Sequence, residues 1–178
     1  MNSRCISFGI VAVLFTLFTG ILLYNQVSRW SNYKSGCGDF LKLTGDAPTL
    51  EAASKYLDTA VSYVEGHNLT FGNSAFMFHT PKNDLGIWYS NLKGAQQTAR
   101  DLIAQIQKDP NSVSQLTRDN ALMKIREVVL DQGSSGAVVT QPDNITVYPG
   151  QWDYLIGWIV FLGGAIIFWV MAIRAYNS

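Results

Sequence analysis

The side chains of this sequence that could perform acid–base or metal chemistry are few and widely spaced. The chain has two histidines, His67 and His79, with Glu65, Asp84 and Cys37 as conceivable partners in a site. There is no HEXXH or CXXC motif, and no pair of ligands stands at helical spacing. The sequence therefore predicts no metal site, and we expect each histidine to be structural or solvent-exposed.

Motifs for nucleophilic catalysis and for phosphate binding are also missing. The sequence contains no Gly-x-Ser-x-Gly, and Gly133-Ser134-Ser135-Gly136 has the composition of a flexible turn. Neither Gly36-Cys37-Gly38 nor Gly163-Gly164 is followed by the residues that a phosphate loop requires. We therefore expect the protein not to be an enzyme and to have no cofactor.

The overall charge excludes another class of function. Lys plus Arg and Asp plus Glu number 13 each, and only 15% of the residues are charged. A nucleic-acid-binding protein usually carries a basic excess or a basic patch, and neither stands out in this chain. Hydrophobic residues make up 48% of the chain and are concentrated toward its two ends, which predicts a membrane protein.

Two uncharged stretches have the length of membrane spans. The first apolar run covers 6–24 and the second covers 154–173, which matches the ~20 residues that a helix needs to cross a bilayer. A cleaved signal peptide has a shorter apolar region, of about 7 to 15 residues, and a small-x-small cleavage site. The first run meets neither condition, so we predict an uncleaved signal anchor.

Two spans place both ends of the chain on one side of the membrane. Arg4 and Arg174 flank the spans on the short tails, while Arg29 and Lys34 follow the first span on the opposite side. Because long loops translocate largely regardless of their charge, we predict cytoplasmic termini and a periplasmic or lumenal central domain. Cys37 then has no intrachain partner, because the bilayer separates it from Cys5, and it is free, buried or paired with a second copy.

The central region has the spacing of amphipathic helices. Thr49 is a plausible N-cap for a helix that ends near Gly66, and Asn83 or Asp84 caps a second helix that Asp109-Pro110 stops. A third helix is predicted from about residue 111 or 112 to 130. Its predicted apolar stripe is Val113, Leu116, Met123 and Leu130, with Leu122, Ile125 and Val129 beside it.

The predicted fold class is an all-α membrane protein in which two transmembrane helices flank a three- to four-helix bundle. The fourth helix of the larger bundle would be a continuation of the first span through Val27, Trp30 and Tyr33. The alternative is a three-helix bundle that follows a disordered stalk. The predicted regions are a first span at 1–28, a helical domain at 29–132, a linker with extended pieces at 133–152, and a second span with a short tail at 153–178.

The most distinctive part of the central domain is its aromatic segment. Residues 76–78 suit an extended, packed segment better than a helix. Packing in the core is one interpretation, because aromatic side chains chiefly fill cores. The other is a docking patch for a partner protein or a membrane surface. The candidate docking residues are Phe71, Phe76, Met77, Phe78 and Trp88.

Small residues recur on one side of each span. They are predicted to allow close packing of the two spans on each other or on a partner, because helix association in lipid depends on close contact. The residues of this candidate packing face are Gly9, Thr16, Gly20, Gly157 and Gly164. Neither span contains an ionisable residue, which argues against a proton or ion pathway through these helices alone.

Two stretches of the central domain resemble a family of uncharacterised cyanobacterial membrane proteins. The first runs from Tyr56 to Leu92 and includes Glu65-Gly66-His67-Asn68 and His79-Thr80-Pro81-Lys82-Asn83-Asp84; the second is 122–133. The resemblance covers about half the chain and implies a bacterial plasma or thylakoid membrane. The family has no assigned activity, so the resemblance supplies no catalytic residue.

Two functions of different class are consistent with this sequence. The first is a membrane-anchored interaction, scaffold or accessory protein, whose partners would be the lipid bilayer and a membrane or extracytoplasmic protein, or a second copy of the chain. The second is an extracytoplasmic ligand-sensing bundle that signals through a partner protein, because the predicted tails are too short to carry an output domain.

Overall fold

The fold consists of two compact units, of mostly helical structure. The computed structural model describes residues 3–133 and 136–177. Ser134 and Ser135, in the predicted flexible turn, lie outside the described residues. The first unit comprises the chain up to Trp30 and from Pro149 onward, and the second unit is Ser31–Tyr148.

Two long apolar helices form the first unit. Helix α1 covers Ser3–Tyr33, so its last three residues belong to the second unit, and helix α6 covers Gln151–Asn177. Both helices are long and apolar enough to cross a membrane, and most of their apolar side chains face outward, away from the protein. The prediction of two span-like helices at these positions is confirmed.

Helices α1 and α6 pack against each other in antiparallel orientation. The centroids of the Phe8 and Phe168 rings lie 6.5 Å apart, and those of the Phe15 and Phe161 rings lie 5.8 Å apart. Residue numbers therefore increase along α1 in the direction in which they decrease along α6. The buried and half-buried side chains of the two helices include one series on each helix that recurs at alternating steps of three and four residues. These series are Phe8, Ala12, Phe15, Thr19 and Leu22 on α1, and Tyr154, Trp158, Phe161, Ala165, Phe168 and Ala172 on α6.

This spacing is the heptad pattern of a left-handed helix pair, in which large and small side chains interdigitate. Aromatic rings on one helix require small residues near them on the other. Gly164 is such a residue, because a Cβ added there would collide with the Phe15 ring. Close packing of this kind is what holds two apolar helices together in lipid, where the solvent is as apolar as their surfaces.

The second unit contains four helices and a short hairpin. The end of α1 passes into a π-helical turn, Lys34–Gly38, and then into α2, Asp39–Gly45. Three longer helices follow: α3, Leu50–Gly66; α4, Leu85–Lys108; and α5, Gln115–Val129. Strands β1, Leu130–Gly133, and β2, Gly136–Val139, pair in antiparallel orientation, and 3₁₀ turns cover Pro81–Asn83 and Ile145–Val147.

The predicted caps of α3 and α4 are confirmed. The Thr49 side chain accepts a hydrogen bond from Ala52 N, and the Asp84 carboxylate accepts one from Ile87 N. Each oxygen pairs with an amide that has no partner inside the helix, which is why these residue types favour helix starts. Helix α4 ends at Lys108, just before Asp109-Pro110, as predicted.

The third predicted helix is present as α5, but its predicted start and its predicted buried face are partly wrong. Helix α5 begins at Gln115 because the Ser114 hydroxyl, rather than residue 111 or 112, accepts from the Thr117 amide. Leu116 and Met123, which were assigned to the apolar stripe, are exposed, and the buried face is Ala121, Ile125 and Val129. Val113 and Leu130, the two ends of the predicted stripe, are buried but lie outside the helix.

Residues 136–148, predicted as part of a linker, belong to the second unit and contribute buried side chains to it. Their extended pieces are strand β2 and the segment after it, whereas Pro142, Ile145 and Val147 are buried. Thr140 N donates to the carbonyl of Val129, which ties this stretch to the end of α5. Apolar side chains two or three residues apart are therefore buried here without forming an α-helix. The structure is mostly helical, and the paired strands are its departure from the predicted all-α class.

One hydrophobic core lies between the helices of the second unit. The last residue of α1, Tyr33, is buried there with Cys37 and Leu41, so the chain that follows the first predicted span continues into the core as an ordered helix. The largest buried side chains from the other helices include Leu57, Val61, Val64, Leu85, Leu92, Ile125 and Val129. Cys37 is a free, fully buried thiol.

Candidate functional site

The aromatic loop, which we define as residues 68–84, connects α3 to α4 and carries the most exposed aromatic side chains of the second unit. It begins where Asn68, in a left-handed conformation, turns the chain out of α3. Asparagine tolerates this conformation better than most residues do, because its short side chain can hydrogen-bond locally. The turn is held by Leu69 N, which donates to the carbonyl of Val64.

Hydrogen bonds close the base of the aromatic loop. Asn73 and Asp84 form an antiparallel bridge, Ser74 N donates to the Asn83 carbonyl at 3.0 Å, and Leu85 N donates to the Gly72 carbonyl at 2.9 Å. The Ser74 residue of the loop is itself fully buried. The loop is therefore a compact Ω-type loop with defined ends rather than an open connection.

Three apolar side chains of the aromatic loop face solvent. Phe71 is 67% exposed, Met77 73% and Phe78 78%, whereas Phe76 is half-buried. The prediction that residues 76–78 form a non-helical segment is confirmed, but the prediction that they are packed is wrong for Met77 and Phe78. Scattered exposed apolar residues need no explanation, but three on one closed loop make an apolar surface.

Trp88 does not belong to this exposed surface. It is 6% exposed, and its Nε1 donates a 2.8 Å hydrogen bond to the Thr140 carbonyl. Among the candidate docking residues, Trp88 therefore differs from Phe71, Met77 and Phe78, because its ring is enclosed by the core and by the segment that follows the hairpin. Its position four residues after the N-cap Asp84 places it on the inward face of α4.

Tyr148 ties the aromatic loop to the end of the second unit. Its hydroxyl donates to the Phe71 carbonyl at 3.0 Å. Gly72 has a φ of +97°, and a Cβ at this position would collide with the Tyr148 hydroxyl. A glycine is thus required here both for the backbone conformation and for the close approach of the tyrosine.

A groove lies between the start of α4 and the hairpin. Its volume is about 520 Å³, and its lining includes Ile87, Trp88, Asp131, Val138, Thr140 and Asp143. This volume is within the range of small-molecule sites, but the lining is mixed and the groove is open to solvent. A second recess, of about 490 Å³, is lined by the aromatic loop itself, including His79 and Asp84.

A polar cluster joins the ends of α3 and α4 on the surface. Glu65 accepts hydrogen bonds from the Tyr89 hydroxyl at 2.7 Å and from Lys93 Nζ at 3.1 Å. These bonds, that from Tyr89 first, hold the pKa of Glu65 below its ordinary value, and the bond to Glu65 raises the pKa of Tyr89. The cluster links α3 to α4 beside the aromatic loop.

The two histidines have different surroundings. His67 stacks on Tyr63 with ring centroids 3.8 Å apart, and its Nδ1 lies 2.9 Å from the Tyr63 carbonyl oxygen. His79 is exposed on the aromatic loop. Within 3–133 and 136–177, no three His, Cys, Asp or Glu side chains are close enough together to hold a metal ion.

The predicted packing face of the spans is only partly the one that the first unit uses. Gly157 and Gly164 face Leu22 and Phe15, and Thr16 accepts a 3.2 Å hydrogen bond from Trp169 Nε1. A Cβ added at Gly9 or Gly20 would meet nothing within 4 Å, so these two glycines do not mediate the pairing. The heptad spacing of Phe8, Phe15 and Leu22 was the sequence signal that would have identified the correct face.

The chain was compared with protein-family models, with curated proteins and with solved structures, and no match was found in any of the three comparisons.

Proposed function

We propose that this protein is a membrane-anchored helical interaction or scaffold protein without an enzymatic role. Helices α1 and α6 would span the bilayer as an antiparallel pair, with both termini in the cytoplasm and the second unit on the outer, periplasmic or lumenal side. The resemblance noted in the sequence adds a bacterial plasma or thylakoid membrane to this proposal. The partner would be a protein bound by the second unit or by the spans, or a second copy of the chain.

The observation that carries the proposal is the outward orientation of apolar side chains on α1 and α6. The two helices cover each other along one narrow face, and large apolar residues remain exposed around the rest of both. In water, so much exposed apolar surface would drive aggregation, whereas in a bilayer it is the favourable arrangement. The cation–π contact of Arg29 with Tyr154, 5.2 Å from the ring centroid, lies where these helices would leave the hydrocarbon.

Membrane insertion and topology are tested together. In washed membranes, the full-length chain should resist extraction by carbonate and high salt. Cysteines introduced as Lys108→Cys and Tyr176→Cys, both at exposed positions, should react differently with a membrane-impermeant maleimide in intact cells. We expect Lys108→Cys to be labelled at once and Tyr176→Cys only after permeabilisation; equal labelling, or release by carbonate, would contradict the proposal.

The interaction role is tested by crosslinking in native membranes followed by purification of the full chain. A stoichiometric partner protein, or a defined homo-oligomer, is the expected result. A chain that remains monomeric and uncrosslinked at its native level would contradict a scaffold role.

A ligand-sensing role is the second candidate, and the groove beside the hairpin favours it. If a small molecule binds there, it should raise the thermal stability of the protein, because it binds the folded state alone. The variant Val138→Arg would fill the groove and should abolish that rise, whereas Leu116→Arg, at an exposed position on α5 outside the groove, should leave it unchanged. A rise that survives Val138→Arg would show that the groove is not the binding site.

A further inference from the structure

We propose that the aromatic loop is a second, peripheral membrane anchor, whose exposed Phe71, Met77 and Phe78 side chains insert into the lipid interface of the bilayer that holds α1 and α6. This inference rests on the proposed function, since it requires that the two helices are in a membrane. It deepens that function by naming what the loop binds, and it leaves the other surfaces of the second unit for a protein partner.

The chemistry of the aromatic loop fits a lipid interface. From Asn68 to Asn83 the chain contains no Asp or Glu, and its one formal charge is that of Lys82. The last residue of the loop, Asp84, is acidic, and its carboxylate accepts the hydrogen bond of Ile87 N at the start of α4. Aromatic side chains favour the headgroup level of a bilayer, and a lysine beside them is attracted to anionic lipids. An acidic side chain would be repelled there, so its absence across 16 consecutive residues is what a lipid-facing loop requires.

Within the second unit, the start of the loop lies near Tyr33 and Tyr148, close to the first and last residues of that unit. At its start, His67 stacks on Tyr63, and the Tyr63 ring lies 6.1 Å from Tyr33, the last residue of α1. Close by, the Phe71 carbonyl accepts the hydrogen bond of Tyr148, three residues before α6 begins at Gln151. Three residues of chain reach at most about 11 Å.

Hydrogen bonds also fix the base of the loop. Its base is closed by the bonds of Ser74 and Leu85, and Asp84 caps α4 directly behind it. A preorganised loop loses little conformational entropy when it inserts, which favours binding by only three apolar side chains. A mobile loop of the same composition would bind lipid more weakly.

The test measures the environment of a fluorophore on the full chain in vesicles of phosphatidylcholine and phosphatidylglycerol. An NBD label is attached in a Cys5→Ser background at Phe78→Cys, and quenching by nitroxide lipids is compared with quenching by aqueous iodide. The matched control is Leu116→Cys, where the native leucine is 69% exposed. Leu116 follows the C-terminal end of α4, a helix of 24 residues and about 36 Å whose N-terminal end adjoins the loop. The Cys5→Ser chain without a further cysteine gives the background label on the buried Cys37.

A third label, at Leu162→Cys in the middle of α6, reports whether the helices are inserted. We expect at least twofold stronger quenching by nitroxide lipids at positions 78 and 162 than at position 116, and the reverse for iodide. If position 162 is lipid-exposed and position 78 behaves like position 116, the anchor is overturned and the proposed function stands. If position 162 is exposed to iodide, the proposed function itself fails.

The same labels separate lipid from protein as the occupant of the loop. If position 78 is shielded from iodide in native membranes but not in pure lipid vesicles, the loop binds a membrane protein and the lipid proposal is overturned. Shielding in both supports the proposal.

Discussion

The indole nitrogen of Trp88 donates a 2.8 Å hydrogen bond to the backbone carbonyl of Thr140. This bond joins the first turn of α4 to the segment that follows the hairpin, and Thr140 N in turn donates to the carbonyl of Val129 at the end of α5. Thr140 thus links the start of α4, the end of α5 and the segment after the hairpin. It also turns the aromatic side chain away from solvent, which leaves the exposed surface to Phe71, Met77 and Phe78.

The change Trp88→Phe should destabilise the second unit. The phenylalanine ring keeps most of the apolar contact but cannot donate, so the Thr140 carbonyl loses its side-chain donor at a cost of about 1 to 3 kcal/mol. The measurement is chemical denaturation of the full chain in detergent. The neighbouring change Ile87→Val, at a half-exposed position, is the control and should cost far less; equal costs would mean that the hydrogen bond contributes nothing.

The change Gly164→Ala should weaken the pairing of α1 with α6. The added Cβ would meet the Phe15 ring, so the helices must separate or the ring must move. Pairing is measured as the yield of an oxidative crosslink between Leu22→Cys and Gly157→Cys, two positions that are in contact. Gly163→Ala is the matched control, because a Cβ there meets nothing within 4 Å. A yield that is unchanged in both variants would contradict the described packing.

The change Gly72→Ala should destabilise the aromatic loop more than Gly136→Ala destabilises the hairpin. Both glycines have positive φ, +97° and +124°, so alanine at either position costs about 1 to 2 kcal/mol in backbone strain. Only at Gly72 does the added Cβ also collide with Tyr148. Amide hydrogen exchange of the full chain should show faster exchange at Leu85, whose amide donates to Gly72, and equal effects of the two variants would argue against the tyrosine contact.

The cluster of Glu65, Tyr89 and Lys93 should make stability depend on pH at both extremes. The folded-state pKa of Glu65 is lowered, so its contribution is present above its ordinary pKa of 4.5 and is lost as the pH falls through the folded value. The folded-state pKa of Tyr89 is raised, so its contribution is present below 10.0 and is lost as the pH rises through its folded value.

Tyr89→Phe should flatten both limbs of this pH profile. Because the groups are exposed, we expect an effect of less than about 1 kcal/mol, measured by denaturation of the full chain from acid to neutral and from neutral to alkaline pH. Tyr56→Phe removes a hydroxyl elsewhere on α3 and is the control. A profile that is identical in Tyr89→Phe and the unmodified chain would contradict the role given to these bonds.

Sequence alone determined the features that depend on near neighbours along the chain. The lengths of the two apolar helices, the caps at Thr49 and Asp84 and the stop before Pro110 all follow from local composition and from the amides left unpaired at a helix start. The inward face of α4 also follows from its spacing, because a long helix with a regular apolar stripe can bury only that stripe.

Only the tertiary structure decided which apolar residues face a partner element and which face solvent. Leu116 and Met123 fit a helical stripe yet are exposed, since α5 packs through Ile125 and Val129 instead. Trp88 and Phe78 belong to one aromatic segment, but Trp88 is buried and donates a hydrogen bond to the carbonyl of Thr140, far away in sequence, whereas Phe78 is exposed. Burial is decided by contacts between distant segments, and a single sequence read along its length does not contain the geometry of those contacts.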